Sequence, residues 1–215
     1  MSKIIIHGGF FSESSTNIET KIAKQQALLR IVKDSYAYLQ NHSALETVVY
    51  AVSQLEDDEL FNAGIGSQIQ SDGKIRMSAS LMDGESQKMS GVINIEEVKN
   101  PIQVAQVLMQ VDDRILGGSG ATNFARKHGF ESFSTEIPQR RAEYEAKLAS
   151  LGTGTVGCVA LDKNGKIAVA TSTGGKGFEI PGRISDSATV AGNYANEFCG
   201  VSLTGVGEDI VSNAT

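Results

Sequence analysis

Apolar residues recur along this chain with two different periods, and the change from one to the other divides it. Between Ile18 and Leu39, the residues Ile22, Ala23, Ala27, Leu28, Ile31 and Val32 return at steps of three and four. That spacing lines up side chains on one face of a helix. Ser43 to Leu55 repeats the pattern, and Ser43 with Glu46 three residues on forms a capping box, in which each partner satisfies a backbone N–H left over by the first helical turn. Two packed helices are predicted. A third, roughly Pro101 to Gln110, opens with proline after Asn100, where the missing N–H has no helical partner to lose.

Shorter apolar runs predict strands. Lys3 to Ile6 is one, ended by Gly8-Gly9. Ser67 to Gln70 and Lys74 to Leu81 flank Ser71-Asp72-Gly73, whose Asp-Gly pair is a hairpin signal, and Gly91 to Ile95 supplies another strand. Phe133 to Gly154 carries Arg140, Arg141, Glu143, Glu145 and Lys147 with hardly any apolar periodicity. Such a stretch buries too little surface to offset the entropy of ordering, which predicts a mobile, solvated linker with a short helix available to Ala142 to Leu151. Strands then return at Val156 to Leu161 and Lys166 to Thr171, joined by Asp162-Lys163-Asn164-Gly165, an Asn-Gly hairpin connection. Helices, strands, linker and strands in that order predict an α+β layered protein.

Composition narrows the function classes. With 215 residues and 40% hydrophobic content, one domain spanning 1–215 is expected, and 23 glycines against 3 prolines suggest many tight turns. A net charge of -6 without a cluster of Lys or Arg gives no electrostatic reason to bind nucleic acid or an anionic membrane. The N-terminus has only three consecutive apolar residues, Ile4 to Ile6, too few for a signal-peptide core, and no stretch reaches membrane-spanning length; a cytoplasmic protein is expected. Cys158 and Cys199 are too few for a disulfide framework and fit a reducing compartment. His7, His42 and His128 stand far apart without metal-ligand spacing, so catalytic zinc is not expected, and no Gly-x-Ser-x-Gly elbow points to a serine triad.

The candidate chemistry sits where the linker meets the strands, at Gly152-Thr153-Gly154-Thr155-Val156-Gly157. A threonine hydroxyl is a weak nucleophile. Cutting the Gly154–Thr155 bond would give Thr155 a free α-amine beside its own Oγ, placing nucleophile and base on one residue. Thr153 also follows a glycine and competes as the cleavage residue. Further on, Thr173 ends a strand before Gly174-Gly175, where a hydroxyl can face a site. Thr204 and Gly205, in a Thr-Gly-x-Gly turn, can offer a hydroxyl and a backbone N–H to a developing oxyanion, although glycine pairs also occur in ordinary turns and phosphate loops. Arg183 and Asp186 stand three residues apart in a loop opened by Pro181-Gly182. They can neutralise each other on the surface, or grip the carboxylate and ammonium at opposite ends of an amino acid.

Thr155-Val156-Gly157, Thr171 to Gly175, Pro181 to Ser187 and Leu203 to Glu208 follow one another in an order that resembles the plant-type L-asparaginases, or isoaspartyl peptidases, of the N-terminal nucleophile hydrolases. Upstream, His7-Gly8-Gly9, Leu60 to Ser67, Met82-Asp83-Gly84 and Asn100-Pro101-Ile102 look like that family's α-subunit blocks, so the likeness spans almost the whole chain. The resemblance favours Thr155 over Thr153 by the Thr-Val-Gly order and the distances to Thr173 and Arg183. It implies a four-layer αββα sandwich, autocleavage before Thr155, an α-subunit region at 1–154 and the start of a β-subunit at 155–215. It further implies hydrolysis of L-asparagine and β-aspartyl dipeptides by a homodimer of αβ units. Thr173 is then the hydrogen-bond partner of the nucleophile. Thr204 and Gly205 form the oxyanion hole, while Arg183, Asp186 and the backbone of Gly207 bind the substrate. Asn62 braces the neighbouring loop. No organic cofactor is implied, but a structural sodium ion is, encircled by the carbonyls of Leu55, Glu56, Asp58, Phe61, Ala63 and Ile65.

Three positions depart from the family's pattern. Phe10-Phe11 stand where Ala-Gly is usual, Ser78 where aspartate is common, and Ser185 where a glycine precedes Asp186, which suggests a shifted substrate preference. Relatives continue beyond the position of Thr215 with helices and a Gly-Gly-x-Gly-Gly strand pair, so a missing C-terminal part is expected to complete the sheet. Two alternatives stand beside the amidohydrolase. One is an uncleaved, non-catalytic remnant that binds a small amino acid. The other is a glycosylasparaginase, against which the lack of a secretory leader argues.

Overall fold

The computed structural model describes residues 1–9, 18–146 and 154–213. In chain order these form β1 (Lys3–His7), α1 (Ile18–Leu39), α2 (Ala44–Glu56), β2 (Met77–Asp83), β3 (Met89–Ile95), α3 (Pro101–Leu108), β4 (Ile115–Gly117), α4 (Gly118–Lys127), α5 (Pro138–Glu145), β5 (Val156–Leu161) and β6 (Ile167–Thr173). A short 3-10 turn (Asp186–Ala188), β7 (Asn193–Ala195), β8 (Gly200–Ser202) and α6 (Gly207–Asn213) follow. Six strands make one sheet in the order β1-β5-β6-β2-β3-β4, and β7 and β8 make a second. All pairs in the large sheet are antiparallel except β3 with β4.

The large sheet is covered on both faces, and strand alternation assigns residues to each. Val156, Cys158 and Ala160 of β5, Ala168 and Ala170 of β6, and Met77, Ala79 and Leu81 of β2 share one core with Ile31, Val48, Val52, Leu55, Ile102 and Leu108 of the helices. On the opposite face Met82 and Val169 pack with Ala195 of the small sheet. Two missing side chains let the sheets approach. A Cβ on Gly157 would run into the Ser202 hydroxyl, and one on Gly200 would lie 2.7 Å from Cγ1 of Val159. The protein is thus a mixed α/β structure with helices, a six-stranded sheet and a small sheet in successive layers. Among the described residues no helix is long and apolar enough to cross a membrane.

Several local predictions are met for the reasons that made them. The helix Ile18–Leu39 buries Ala27, Ile31, Ser35 and Leu39, one residue per turn. Ser43 Oγ accepts from the Glu46 N–H at 3.2 Å and the Glu46 carboxylate accepts from the Ser43 N–H at 2.9 Å, the reciprocal capping box. At the β5–β6 turn Gly165 has φ +79, and Asp162 Oδ1 accepts from the N–H groups of Asn164 (2.9 Å) and Lys166 (3.0 Å). The other oxygen of Asp162 accepts from the Ala44 N–H at 3.2 Å, so this hairpin also caps α2.

Other segments differ. Ser67 to Gln70 is no strand. The Asp72-Gly73 turn forms, with Gln70 N–H on the Lys74 carbonyl at 2.8 Å, but Gln68 N–H bonds to Asn62 Oδ1 at 3.0 Å, which ties the segment to a loop in place of a strand partner. The stretch expected as a solvated linker from residue 133 is docked through 146. Thr135 and Ile137 are buried, Arg140 Nε donates to the Gly66 carbonyl at 2.8 Å, and Tyr144 stacks on Phe178 at 5.2 Å. Its charged residues anchor to backbone carbonyls, which a hydrophobicity pattern does not register, and its helix begins at Pro138 ahead of Ala142. Residues 147–153, with the expected helix end and Thr153, lie outside the described residues. β4 and α4 escaped the sequence reading because Gly117, Gly118 and Gly120 break the periodicity there.

Glu56, at the end of α2, is wholly buried. Its Oε1 accepts from Ser172 Oγ at 2.7 Å and from the Ile102 N–H at 3.1 Å, yet burial pushes the carboxyl up to about 8. The folded chain therefore holds a proton that the unfolded chain releases near 4.5. The stability this group contributes is full below that lower value and is lost as pH rises through the upper one. Glu56→Gln keeps an acceptor without the charge. The thermal midpoint of the wild-type chain should fall between about pH 5 and pH 8 more steeply than that of the variant; parallel curves would contradict a protonated Glu56.

Candidate active site

Thr155 immediately precedes β5. Val156 faces the helices, so alternation turns Thr155 to the opposite face, where it is 6% exposed. One step beyond the Val156↔Ser172 pair, the register brings Thr155 opposite Thr173, itself buried at the end of β6. The Thr155 hydroxyl lies 3.2 Å from Ser187 Oγ in the 3-10 turn. Ser187 is fully buried, and its carbonyl is held by Ser80 Oγ of β2 at 2.6 Å.

The peptide before Thr155 is closely packed. Gly9 has φ +109, and a Cβ there would sit 2.5 Å from Gly154 Cα and 3.0 Å from its carbonyl carbon. Only glycine combines that backbone conformation with that approach. Asn62 stands on the other side. Its Nδ2 donates to the Gly175 carbonyl at 2.5 Å, its own carbonyl accepts from the Gly174 N–H at 2.9 Å, and its Cβ is 3.4 Å from where a Gly154 Cβ would be. It ties the loop after α2 to the Gly174-Gly175 turn beside the Gly154–Thr155 bond.

Arg183, Asp186 and Gly207 come together. A Cβ on Gly207 would be 2.7 Å from Asp186 Oδ1 and 3.1 Å from Arg183 Nη2. The arginine does not pair with Asp186, as one reading of their spacing expected. Its Nε and Nη2 grip Glu208 at 2.7 and 2.9 Å, a two-pronged contact that holds the Glu208 carboxyl down to about 2. Asp186 is buried with Oδ2 unpartnered, and burial pushes its carboxyl above the usual value, the nearby guanidinium opposing that. An unpaired buried carboxylate is costly, so Asp186 stands out among the polar residues of the site. A cavity of about 570 Å³, lined by Lys176, Phe178, Glu179, Arg183 and Glu208 among others, opens beside the pair, and Thr155 is not in its lining.

Two departures from the family's pattern have structural reasons. Ser185 is extended at φ -95, so no glycine is required. Ser78 Oγ accepts from the Asn94 N–H at 3.2 Å, and Asn94 Nδ2 donates to the Arg183 carbonyl at 3.1 Å, so Ser78 supports the arginine loop indirectly. Phe10-Phe11 lie outside the described residues. Thr204 and Gly205, both half-buried, form the turn from β8, stacked on Gly157, to α6, which begins at Gly207. That turn links the threonine side of the site to the arginine side.

Three residues at this site carried no role in the sequence reading, although each lies in a block singled out there: Ser187, Glu208 and His7. Ser202 Oγ is 2.8 Å from His7 Nε2 and 2.7 Å from Thr171 Oγ1, which contacts the Asn193 amide oxygen at 2.9 Å. Burial pushes the imidazole of His7 down to about 4, the Thr155 backbone opposing that shift. Cys158, on β5, has its thiol pushed up by burial, which removes it as a competing thiolate. Among the described residues no cluster of three or more His, Cys, Asp or Glu side chains could hold a metal. The loop after α2 does gather carbonyls: those of Glu59 and Phe61 lie 2.7 and 2.8 Å from where a Gly66 Cβ would be, while Glu56 O accepts from the Ile65 N–H at 2.8 Å.

A sequence model of the asparaginase family matches residues 1–148 and 134–215. The chain belongs to this family. It is 47% identical over 230 residues to an isoaspartyl peptidase/L-asparaginase of Synechocystis sp., covering 98% of this chain and 69% of the relative. It is 37% identical to the isoaspartyl peptidase of Escherichia coli, covering 95% and 71%, and 36% identical to a plant-type L-asparaginase of Pyrobaculum calidifontis, covering 98% and 76%. The family likeness runs through both sides of the site, from His7 to Glu208.

The Gly9 contact yields a direct test. Gly9→Ala adds a methyl against the Gly154 backbone at a positive φ, which should cost more than about 1 kcal/mol and lower the thermal midpoint by roughly 3 °C or more. An unchanged midpoint in differential scanning fluorimetry would show that Gly9 does not pack on that peptide.

Proposed function

We propose that this chain is a threonine amidohydrolase that cuts itself before Thr155 and then hydrolyses L-asparagine and β-aspartyl dipeptides. The observation that carries the reading is the buried Thr155 hydroxyl, 3.2 Å from Ser187 Oγ, beside a Gly154–Thr155 peptide packed against Gly9. The names of the Synechocystis and Escherichia coli relatives supply the substrate class.

In autocleavage Thr155 Oγ attacks the Gly154 carbonyl carbon. The C–N bond breaks as the nitrogen takes a proton, and water hydrolyses the resulting ester, leaving Thr155 with a free amine. That amine, with an ordinary pKa of roughly 8, takes the Oγ proton in turnover. Oγ then attacks the side-chain amide carbon of the substrate, and ammonia or an amino-acid amine leaves. Water, activated by the same amine, releases aspartate from the β-aspartyl ester. Thr173 orients the nucleophile. Thr204 Oγ1 and the Gly205 N–H stabilise the oxyanion, Arg183 takes the substrate α-carboxylate through the guanidinium hydrogens that Glu208 does not use, and Asp186 with the Gly207 backbone takes the α-ammonium.

The same reading extends to the whole protein. The helices, the large sheet and the β7–β8 pair are three layers of a four-layer αββα sandwich. Hard carbonyl oxygens on the loop after α2 suit a sodium ion that would staple the loop presenting Asn62. Two αβ units would pair as a homodimer, in a cytoplasm that keeps Cys158 and Cys199 reduced.

Denaturing electrophoresis with N-terminal sequencing should show two fragments, the second beginning at Thr155, and Thr155→Ala should stay whole and inactive. A chain that remains intact under activating conditions would favour the non-catalytic remnant. Thr204→Ala should lower turnover by roughly a hundredfold, the size of a lost oxyanion donor. Arg183→Ala should leave autocleavage nearly intact and raise KM. Equal loss of cleavage and binding in Arg183→Ala would show that the arginine does not serve the substrate carboxylate alone.

A further inference from the structure

Ser187 is fully buried, so its hydroxyl proton has to find an acceptor inside the protein. Among the described residues its Oγ meets one polar atom, Thr155 Oγ1, at 3.2 Å. That gives the contact a direction. If Thr155 gave its proton to Ser187, the proton of the serine would be left buried without an acceptor. Thr155 has another place for its own proton, because cleavage before it puts an amine beside its hydroxyl. Ser187 therefore donates, and Thr155 Oγ accepts on one lone pair while the other stays free for attack.

The donor is held by its backbone. Ser80 Oγ of β2 donates to the Ser187 carbonyl at 2.6 Å, and the Ser187 N–H reaches Ser185 Oγ at 3.4 Å. The turn closes on the Asp186 carbonyl, which accepts from the Thr189 N–H at 2.9 Å and from Thr189 Oγ1 at 2.8 Å. A donor fixed in this way needs no rearrangement at the moment charge appears in front of it. The 3.2 Å contact is longer than the roughly 2.8 Å usual between two neutral hydroxyls, whereas a hydroxyl bonded to an anionic oxygen closes to about 2.6 Å. The bond is thus worth more when Thr155 Oγ is an alkoxide than when it is an alcohol or an ester.

Thr155 Oγ carries that charge as a leaving group. The ester formed in self-cleavage and the β-aspartyl ester formed in turnover are hydrolysed in the same way. Water adds to the ester carbon and gives a proton to the Thr155 amine. The C–Oγ bond then breaks with its electron pair passing to Oγ, and the ammonium returns the proton to that oxygen. Ser187 keeps its own proton throughout. A donor on Oγ makes it a poorer nucleophile and a better leaving group, so its benefit falls on ester hydrolysis and not on attack.

We propose that Ser187 is a catalytic residue for ester hydrolysis: its hydroxyl donates to Thr155 Oγ and stabilises that oxygen as it leaves the acyl group. This rests on Thr155 being the nucleophile. In Ser187→Ala the β-aspartyl ester should accumulate. With a β-aspartyl dipeptide, acid quenching and mass spectrometry of the fragment that begins at Thr155 should detect it, and release of the amine should start with a burst. The kcat per cleaved chain should fall about tenfold, the size of a lost hydrogen bond to a charged oxygen. KM should fall in step, leaving kcat/KM, which reports the attack, within about threefold. Ser187→Cys, which fills the same place with a weaker donor, should show the same pattern to a smaller degree and serves if the alanine does not fold. A kcat/KM that drops as far as kcat, with no trapped ester, marks a displaced turn and overturns the proposal. A wild-type chain that neither cleaves itself nor turns over the dipeptide overturns the amidohydrolase reading and this role with it, whereas an active wild type matched by Ser187→Ala overturns the role of Ser187 alone.

Discussion

Everything at this site depends on β5 being buried on both faces. A strand covered on one side has a core face and a wet face; in this chain the second face is dry as well, so alternation points Val156, Cys158 and Ala160 into the helices and Thr155, Gly157 and Val159 toward the small sheet. The hydroxyl of Thr155 is thereby taken from water and handed to another hydroxyl, that of Ser187. A slip of one residue in register would exchange Thr155 with Val156 and lose both the core contact and the site. The antiparallel pairing of β5 with β1 and β6 guards against that slip.

The small sheet is seated by absences. Gly157 and Gly200 lack the side chains that would push the layers apart, and polar groups fill the seam where they meet: His7, Ser202, Thr171 and Asn193. Such a network binds the layers tightly only if every proton runs the right way, since buried polar groups are costly when left over. The seam therefore bears directly on the packing of the fold.

The Arg183 side of the site is arranged by charge. Burial leaves Asp186 with an unpartnered oxygen, while Glu208 locks Arg183 through two of its nitrogens. Two bonds to one carboxylate hold an otherwise flexible arginine in a single orientation. The contact is half in solvent, so its net contribution to stability is small and its value lies in direction.

The sequence by itself determined the local elements and the candidate nucleophile. The helix at Ile18–Leu39, the capping box at Ser43, the Asn164-Gly165 turn and the strands around it follow from periodicity and turn chemistry, which act over a few residues. Thr155, Thr173, Arg183, Asp186, Thr204, Gly205 and Gly207 were legible as a spaced series only through the resemblance to the family. Tertiary structure alone decided their partners. That Arg183 pairs with Glu208 and not Asp186, that Ser187 meets Thr155, that His7 reaches Ser202 across 195 positions, and that the charged stretch after residue 133 docks on Gly66 are all contacts between residues distant in the chain. Hydroxyls, carboxylates and guanidiniums leave no periodic trace in a sequence. Their partners are chosen only when strand register and sheet stacking bring the layers together.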